Sequence, residues 1–365
     1  MEDFRLISSD SHVTIPVAAW QTYLPEAQRA KAPVIETTDE GDFTVFEGRR
    51  TPINTLNNLA GKKAEEFTLN VRKLEDQRAG AGDPNERLKD MDLDGVDAEV
   101  LYVGGPLSTT DRELYLASVR GYNQWLADFC SVAPRRLLGM GAVPIQTPEL
   151  AVTEIKKIKE LGLAGAYIPL FPGQDDDYGT EQWNPMWDAF KETGLPIGLH
   201  VGGKRPGTPT KNIFESAPQF MTGLIMSKMT MAEAVSELIH GLVMQRYPEL
   251  KFIAVEGQIG WCTFFQEYSD HLWEKHRYWT KSQLQEPPSF YFKRQVFATF
   301  MEDASGLRER HHLGIDNIMW ASDYPHSETT WPNSKSLTDE WFTPYGEDDK
   351  RKILWENCAK LYSLI

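Results

Sequence analysis

Short β-rich apolar runs recur along the chain, and most are followed by a segment of helical period. Eight runs stand out: Phe4–Ser9, Val96–Val103, Leu137–Pro144, Ala164–Leu170, Pro196–Val201, Leu250–Glu256, Val296–Phe300 and Asn317–Asp323. Between them, Leu114–Val132, Pro148–Leu161, Trp183–Thr193 and Met229–Arg246 carry apolar residues three and four apart, which predicts amphipathic helices. Three strands start after a phrase that ends a helix and turns: Lys159–Leu163, Lys191–Pro196 and Arg246–Leu250. A Gly just past a helix supplies the left-handed cap, and Pro stops the helix from continuing. Strand–helix alternation predicts a mostly parallel sheet. Eight such units with buried strands predict an α/β fold, a (β/α)8 TIM barrel. No GxGxxG follows the first strand, which argues against an open dinucleotide-binding sheet.

One stretch breaks the rhythm. Residues from about Trp20 to Glu86 are rich in charge and Gly, without convincing alternation of strand and helix. The expectation is an insertion between the first and second barrel strands, acting as a lid over the mouth or as a dimerisation arm. Residues 327–349 form a second irregular stretch, and no internal repeat is found. Barrels of this kind commonly use this much chain as one unit, so residues 1–365 are read as a single domain.

Active sites in such barrels lie at the carboxyl ends of the strands, so polar residues there carry the functional information. After the first run comes Asp10-Ser11-His12, whose first and third residues share one face of an extended chain. The fifth run ends in His200, the sixth in Glu256 and the eighth in Asp323. Carboxylate and imidazole are ligands that Zn²⁺, Mn²⁺ and Fe²⁺ accept. Each residue alone has a simpler reading. Asp10 can cap the next segment, His12 and His200 can be hydrogen-bonded core histidines, Glu256 can pair with an Arg, and Asp323 can open an Asx-turn. Together on one rim they read differently, because burying several carboxylates without a cation costs several kcal/mol each. The metal set is therefore Asp10, His12, His200, Asp323 and Glu256.

Composition narrows the classes. Apolar residues make up 41%, with 11 Trp, 13 Tyr and 17 Phe, enough mass for a large core. The net charge of −15 repels phosphate backbones and anionic lipid, so nucleic acid and membrane surfaces are not expected partners. Three widely spaced cysteines without CxxC give neither a disulfide framework nor a thiolate zinc site. The amino-terminal residues lack a signal-peptide pattern and no run of 18 apolar residues occurs, which predicts a cytoplasmic, non-membrane protein.

The phrases Ser9-Asp-Ser-His12, Arg87 through Asp97, Arg136-Leu-Leu-Gly139, Gly198-Leu-His200, Trp320 through His326 and Glu356 through Tyr362 together resemble a known family. It is the amidohydrolase-related group containing aminocarboxymuconate-semialdehyde decarboxylase and the resorcylate-type decarboxylases. The resemblance runs over nearly the whole chain. It implies a barrel with one divalent metal, often Zn²⁺ or Mn²⁺, bound through the first strand, the fifth-strand His and the eighth-strand Asp. Two departures stand out. Many members carry His-x-His or Glu-x-His where this chain has Asp10-x-His12, and several place a His where this chain has Glu256. A Glu there cannot be a cationic electrophile, but it can be a base or a ligand. The fourth strand lacks Lys, so a carbamylated bridge between two metals is not expected.

The resemblance implies a metal-dependent hydrolase or a non-oxidative decarboxylase of a small aromatic or unsaturated carboxylate, with Asp323 as ligand and proton shuttle. Catalytic candidates are Asp323, Glu256 and His326, the last on the loop three residues beyond Asp323. Tyr102, Trp261, His271, His276 and Tyr324 are candidate substrate contacts, while His311 and His312 precede the eighth strand and read as structural. The alternative is a non-haem dinuclear oxygenase on the same barrel, since carboxylate-rich ligation favours Fe or Mn over Zn. The expected partners are a small-molecule substrate and a second subunit, either a copy forming a homodimer or a related barrel.

Overall fold

The computed structural model describes residues 5–53, 56–67, 73–102, 104–209 and 215–365. Phe4 and Val103, at the edges of two expected strands, and residues 54–55 and 68–72 of the expected insertion lie outside them. The eight expected runs all form strands: β1 (Ile7–His12), β5 (Ala98–Tyr102), β6 (Leu137–Ala142), β7 (Gly165–Ile168), β8 (Ile197–His200), β9 (Phe252–Val255), β10 (Val296–Phe300) and β11 (Ile318–Trp320). They follow one another in chain order within the sheet, the topology of a (β/α)8 barrel. The chain divides into two units: Met1–Ala142, Glu160–Ala164 and Ala321–Gly346 form the first, and Val143–Lys159, Gly165–Trp320 and Glu347–Ile365 the second.

In the first unit β1 pairs in parallel with β5, and β5 with β6. All six residues of β1 are buried although four of them are Ser or Asp. Serine hydroxyls make this possible. Ser8 Oγ donates to the Asp10 carbonyl at 2.8 Å and lies 2.9 Å from Ser11 Oγ and 3.0 Å from Ser322 Oγ, and Ser322 N donates back to Ser8 Oγ. The β1–β5 register shifts between Ser8 and Ser11, a bulge-like irregularity that re-aims the side chains following it. Helix α1 (Pro84–Asp94) starts where Asp83 accepts from Asn85 N and Glu86 N, and stops at Gly95 with φ 74°. Helix α2 (Arg112–Cys130) is capped by Asp111 in the same way.

The region expected to lack alternation contains a regular element after all. Residues Val34–Thr38 (β2), Gly41–Phe46 (β3) and Arg49–Pro52 (β4) form a three-stranded antiparallel sheet. Glu47 and Gly48 both have positive φ, which supplies the right twist for a two-residue hairpin turn between β3 and β4.

In the second unit β7 to β11 pair in parallel. Helices α3 (Pro148–Glu160) and α4 (Asn184–Thr193) match their expected spans within two residues. The expected helix over residues 229–246 differs. It begins earlier as α5 (Ala217–His240), with Ser216 as cap, and breaks at Gly241 and Leu242, where Leu242 takes φ 65°. Helices α6 (Gly260–His276) and α7 (Pro288–Gln295) follow β9. The core of this unit includes Trp187, ringed by Tyr178, Phe190 and Phe252 at 5.6–6.3 Å between centroids. None of the described helices is long and apolar enough to cross a membrane.

A buried carboxyl in the first unit gives a pH signature. Asp94, at the end of α1, accepts from Ser334 N at 2.8 Å and from Ser334 Oγ. Burial pushes it up from 3.8 to about 6, against the pull of those bonds and with help from Glu99 and Asp90. A carboxyl raised by folding binds its proton more tightly in the native state, so stability is present below about pH 4 and falls as pH rises toward 6. At neutral pH this costs on the order of 3 kcal/mol. Asp94→Asn should therefore be more stable than the parent at pH 7 and nearly equal to it at pH 4, read by urea denaturation. An equal difference at both values would show that Asp94 is not the titrating group.

Candidate metal centre

In the first unit the irregular β1 turns Asp10 and His12 toward the loop after β11. Backbone hydrogen bonds lock the two segments: Asp323 N donates to Asp10 O at 3.0 Å, and His12 N donates to Tyr324 O at 2.6 Å. Asp323 adopts φ 55°, a left-handed conformation uncommon outside Gly but tolerated by Asp. His12 Nε2 then lies 3.1 Å from Asp323 Oδ1 and 3.6 Å from Asp10 Oδ1. His326 N closes a turn on the Asp323 carbonyl, and its Nδ1 sits 2.9 Å from Asp323 Oδ1. The His12 and His326 rings stack with centroids 3.8 Å apart. Two carboxylates, 0% and 1% exposed, thus share the His12 imidazole. One protonated imidazole offsets only one of those charges, and a divalent cation offsets both.

Below this group lies a buried ion pair. Arg87 Nε donates to Glu99 Oε2 at 2.5 Å, and Arg87 Nη1 donates to the His12 carbonyl at 2.7 Å. The guanidinium lies over the Tyr324 ring at 4.4 Å. Ser11 Oγ donates to Glu99 Oε1 at 3.3 Å. Arg87 therefore grips the backbone of the segment that presents His12.

In the second unit His200 ends β8. Its Nδ1 lies 3.0 Å from the Val201 carbonyl, and Nδ1–H donation to that oxygen makes Nε2 the basic, ligand-competent nitrogen. His200 Nε2 is 3.5 Å from Glu256 Oε2. Glu256 follows β9 with φ 58°, its N donating to Thr299 Oγ1 at 2.8 Å. A left-handed Glu costs about 1 kcal/mol or more, and such outliers cluster at functional sites. Its other oxygen, Oε1, is 2.7 Å from Lys228 Nζ of α5.

Of the expected substrate contacts, Tyr102 ends β5 and is fully buried. Tyr324 is also buried, with its hydroxyl donating to Asp90 Oδ2 and its ring against Arg87 and Trp331. Trp261 donates its indole N–H to the carbonyls of Gly257 and Gln258 and packs edge-on to Phe265. His271 and His276 are exposed on α6, the first stacked on Tyr268 and the second accepting from Trp279 Nε1 at 2.8 Å. Neither belongs to a group of metal-ligand type among the described residues. Lys228 and the serines of β1 were not expected. A single Lys inside the Met-rich run Gly223-Leu-Ile-Met-Ser-Lys-Met-Thr-Met231 was the available signal for the first.

The fold and the donor set are those of an amidohydrolase-type enzyme, and residues 10–364 match the amidohydrolase family, to which the chain belongs. Among its relatives are resorcylate decarboxylases, to which the chain is similar over about three quarters of its length. Gamma-resorcylate decarboxylase of Polaromonas sp. (strain JS666 / ATCC BAA-500) is 26% identical over 302 residues, covering 77% of this chain and 87% of that one. Among solved structures, an amidohydrolase from Mycobacterium avium subsp. paratuberculosis K-10 superposes with TM-score 0.76 at 20% identity, covering 99% of this chain and 100% of that one. A dihydroxybenzoic acid decarboxylase from Polaromonas sp. JS666, with bound manganese and the inhibitor 2-nitroresorcinol, gives 0.65 at 19% identity, covering 99% and 98%. The oxygenase alternative finds no support in these likenesses.

Proposed function

We propose that the chain is a metal-dependent, non-oxidative decarboxylase of a small aromatic carboxylate. Asp10, His12, His200, Asp323 and Glu256 would serve one divalent cation. The observation that carries this reading is the packing of Asp10 and Asp323 carboxylates around one imidazole, both carboxylates buried. A barrel gathers the carboxyl ends of its strands on one rim, where ligand groups from several strands can serve one ion. Carboxylate oxygens and imidazole nitrogens fit Mn²⁺ or Zn²⁺. Thiolates do not enter: all three cysteines are buried, and burial pushes Cys130 up to about 12. Manganese in the Polaromonas structure supports that ion as the first choice.

When bound, a divalent cation supplies Lewis acidity toward the substrate's carboxylate or a neighbouring hydroxyl. The chain's own residues then handle the proton. As the bond between ring carbon and carboxylate breaks, its electron pair stays on the ring, CO₂ leaves, and Asp323 delivers the proton that quenches the carbon. His326, in contact with Asp323 Oδ1 and half-buried, is placed to return a proton from solvent. The insertion at residues 20–86 is assigned to covering the mouth or pairing two chains.

Elemental analysis of protein purified without chelator, paired with CO₂ release from 2,6-dihydroxybenzoate, tests the proposal. About one Mn or Zn per chain is expected, with turnover that does not consume dioxygen. In His200→Ala both the metal and the turnover should be lost while the fold persists. Two iron ions per chain with dioxygen uptake would overturn the reading, as would full activity of His200→Ala with metal retained.

A further inference from the structure

On α5 the expected polarity is inverted. Met226 and Met229 are 54% and 41% exposed, while Lys228 between them is 14% exposed at its side chain. A lysine on a helix surface ordinarily runs its stem along apolar neighbours and keeps its ammonium in water. Here the methionines take the water, and the ammonium is turned onto Glu256 at 2.7 Å. Glu256 in turn lies 3.5 Å from His200 Nε2 and is held in a left-handed backbone conformation. The second unit thus presents the sequence Lys228, Glu256, His200, with a cation at its outer end.

We propose that Lys228 is the substrate-carboxylate-binding residue of this site, its ammonium held in place by Glu256 and donating to the anionic group of the substrate. The inference rests on the decarboxylase reading for its substrate class. The argument is one of charge. The side chain that follows β9 is an acid, Glu256, which alone would repel an anionic substrate. A lysine locked to that acid supplies a positive donor beside it. An ammonium has three rotatable N–H donors, so it can hold a protein carboxylate and a ligand carboxylate together. Partial burial strengthens such contacts relative to water. The pairing also gives the strained Glu256 a task beside serving the cation: one carboxylate oxygen faces His200 and the other anchors the lysine.

The test is titration calorimetry of manganese-loaded protein with 2,6-dihydroxybenzoate and with its uncharged carboxamide, on the parent, Lys228→Met and Lys228→Arg. Lys228→Met should weaken the carboxylate by about ten- to a hundredfold and leave the carboxamide unchanged. Lys228→Arg should restore most of the affinity, and metal content should stay the same in all three. Equal carboxylate affinity in Lys228→Met overturns the proposal. So does parallel loss of carboxylate, carboxamide and metal, which would make Lys228 a support for Glu256 only. Absence of carboxylate binding by the parent also counts against it. If binding depends on Lys228 but no CO₂ is released, the decarboxylase reading fails while the lysine assignment stands.

Discussion

Asp323→Asn should keep the fold and lose turnover by about a thousandfold, the loss falling on kcat. The amide is nearly isosteric, and the backbone bonds that seat residue 323 do not involve the side chain: its N donates to Asp10 O and its carbonyl accepts from His326 N. What disappears is a carboxylate oxygen that lies within 3.1 Å of His12 Nε2 and 2.9 Å of His326 Nδ1. An amide oxygen still accepts hydrogen bonds, but an amide cannot carry a proton to carbon. It also removes one of the three carboxylates proposed to face the cation, so metal content must be measured beside the rate. Retained metal with abolished CO₂ release assigns the loss to the proton. Loss of metal in step with rate assigns it to ligation. A normal rate would remove Asp323 from the chemistry altogether.

The barrel was legible because its strands are short apolar runs punctuated by Gly and Pro, and that punctuation is local. The small antiparallel sheet at residues 34–52 was not. Two of its strands, β2 and β4, are largely exposed, so their Thr, Glu and Arg content blurs the two-residue alternation, and the turn Glu47-Gly48 lacks the Asn-Gly or Asp-Gly signal of a hairpin. The carboxylates and imidazoles were legible at strand ends, yet the expected strand at residues 4–9 stopped short of Asp10 and His12. In the structure β1 runs through Asp10 and His12. Propensity reads Ser-Ser-Asp-Ser as a loop, and its pairing with β5 and the contact with Ser322, more than three hundred residues away, make it a buried strand. Long-range hydrogen bonding of that kind leaves no local trace. Lys228 was hidden for the same reason, since its partner lies 28 residues on.

Arg87→Met should be the most destabilising single change near the site, by about 3–5 kcal/mol. Arg87 and Glu99 are 0% and 2% exposed, and removing the guanidinium leaves Glu99 buried with only the Ser11 hydroxyl as a partner among the contacts described above. Chemical denaturation of the metal-free protein measures the cost. The double change Arg87→Met with Glu99→Leu removes both charges, and most of the stability should return, because an apolar pair of similar volume replaces a desolvated one. Metal affinity should not return with it. The His12 carbonyl takes its hydrogen bond from Arg87 Nη1 at 2.7 Å, and neither Met nor Leu can supply that donor. Recovery of stability without recovery of metal binding would separate the two roles of the pair: Glu99 keeps the arginine soluble in the core, and Arg87 holds the backbone that aims His12. If both recover together, the ion pair matters to the fold alone and the aim of His12 is set by β1 and its serines.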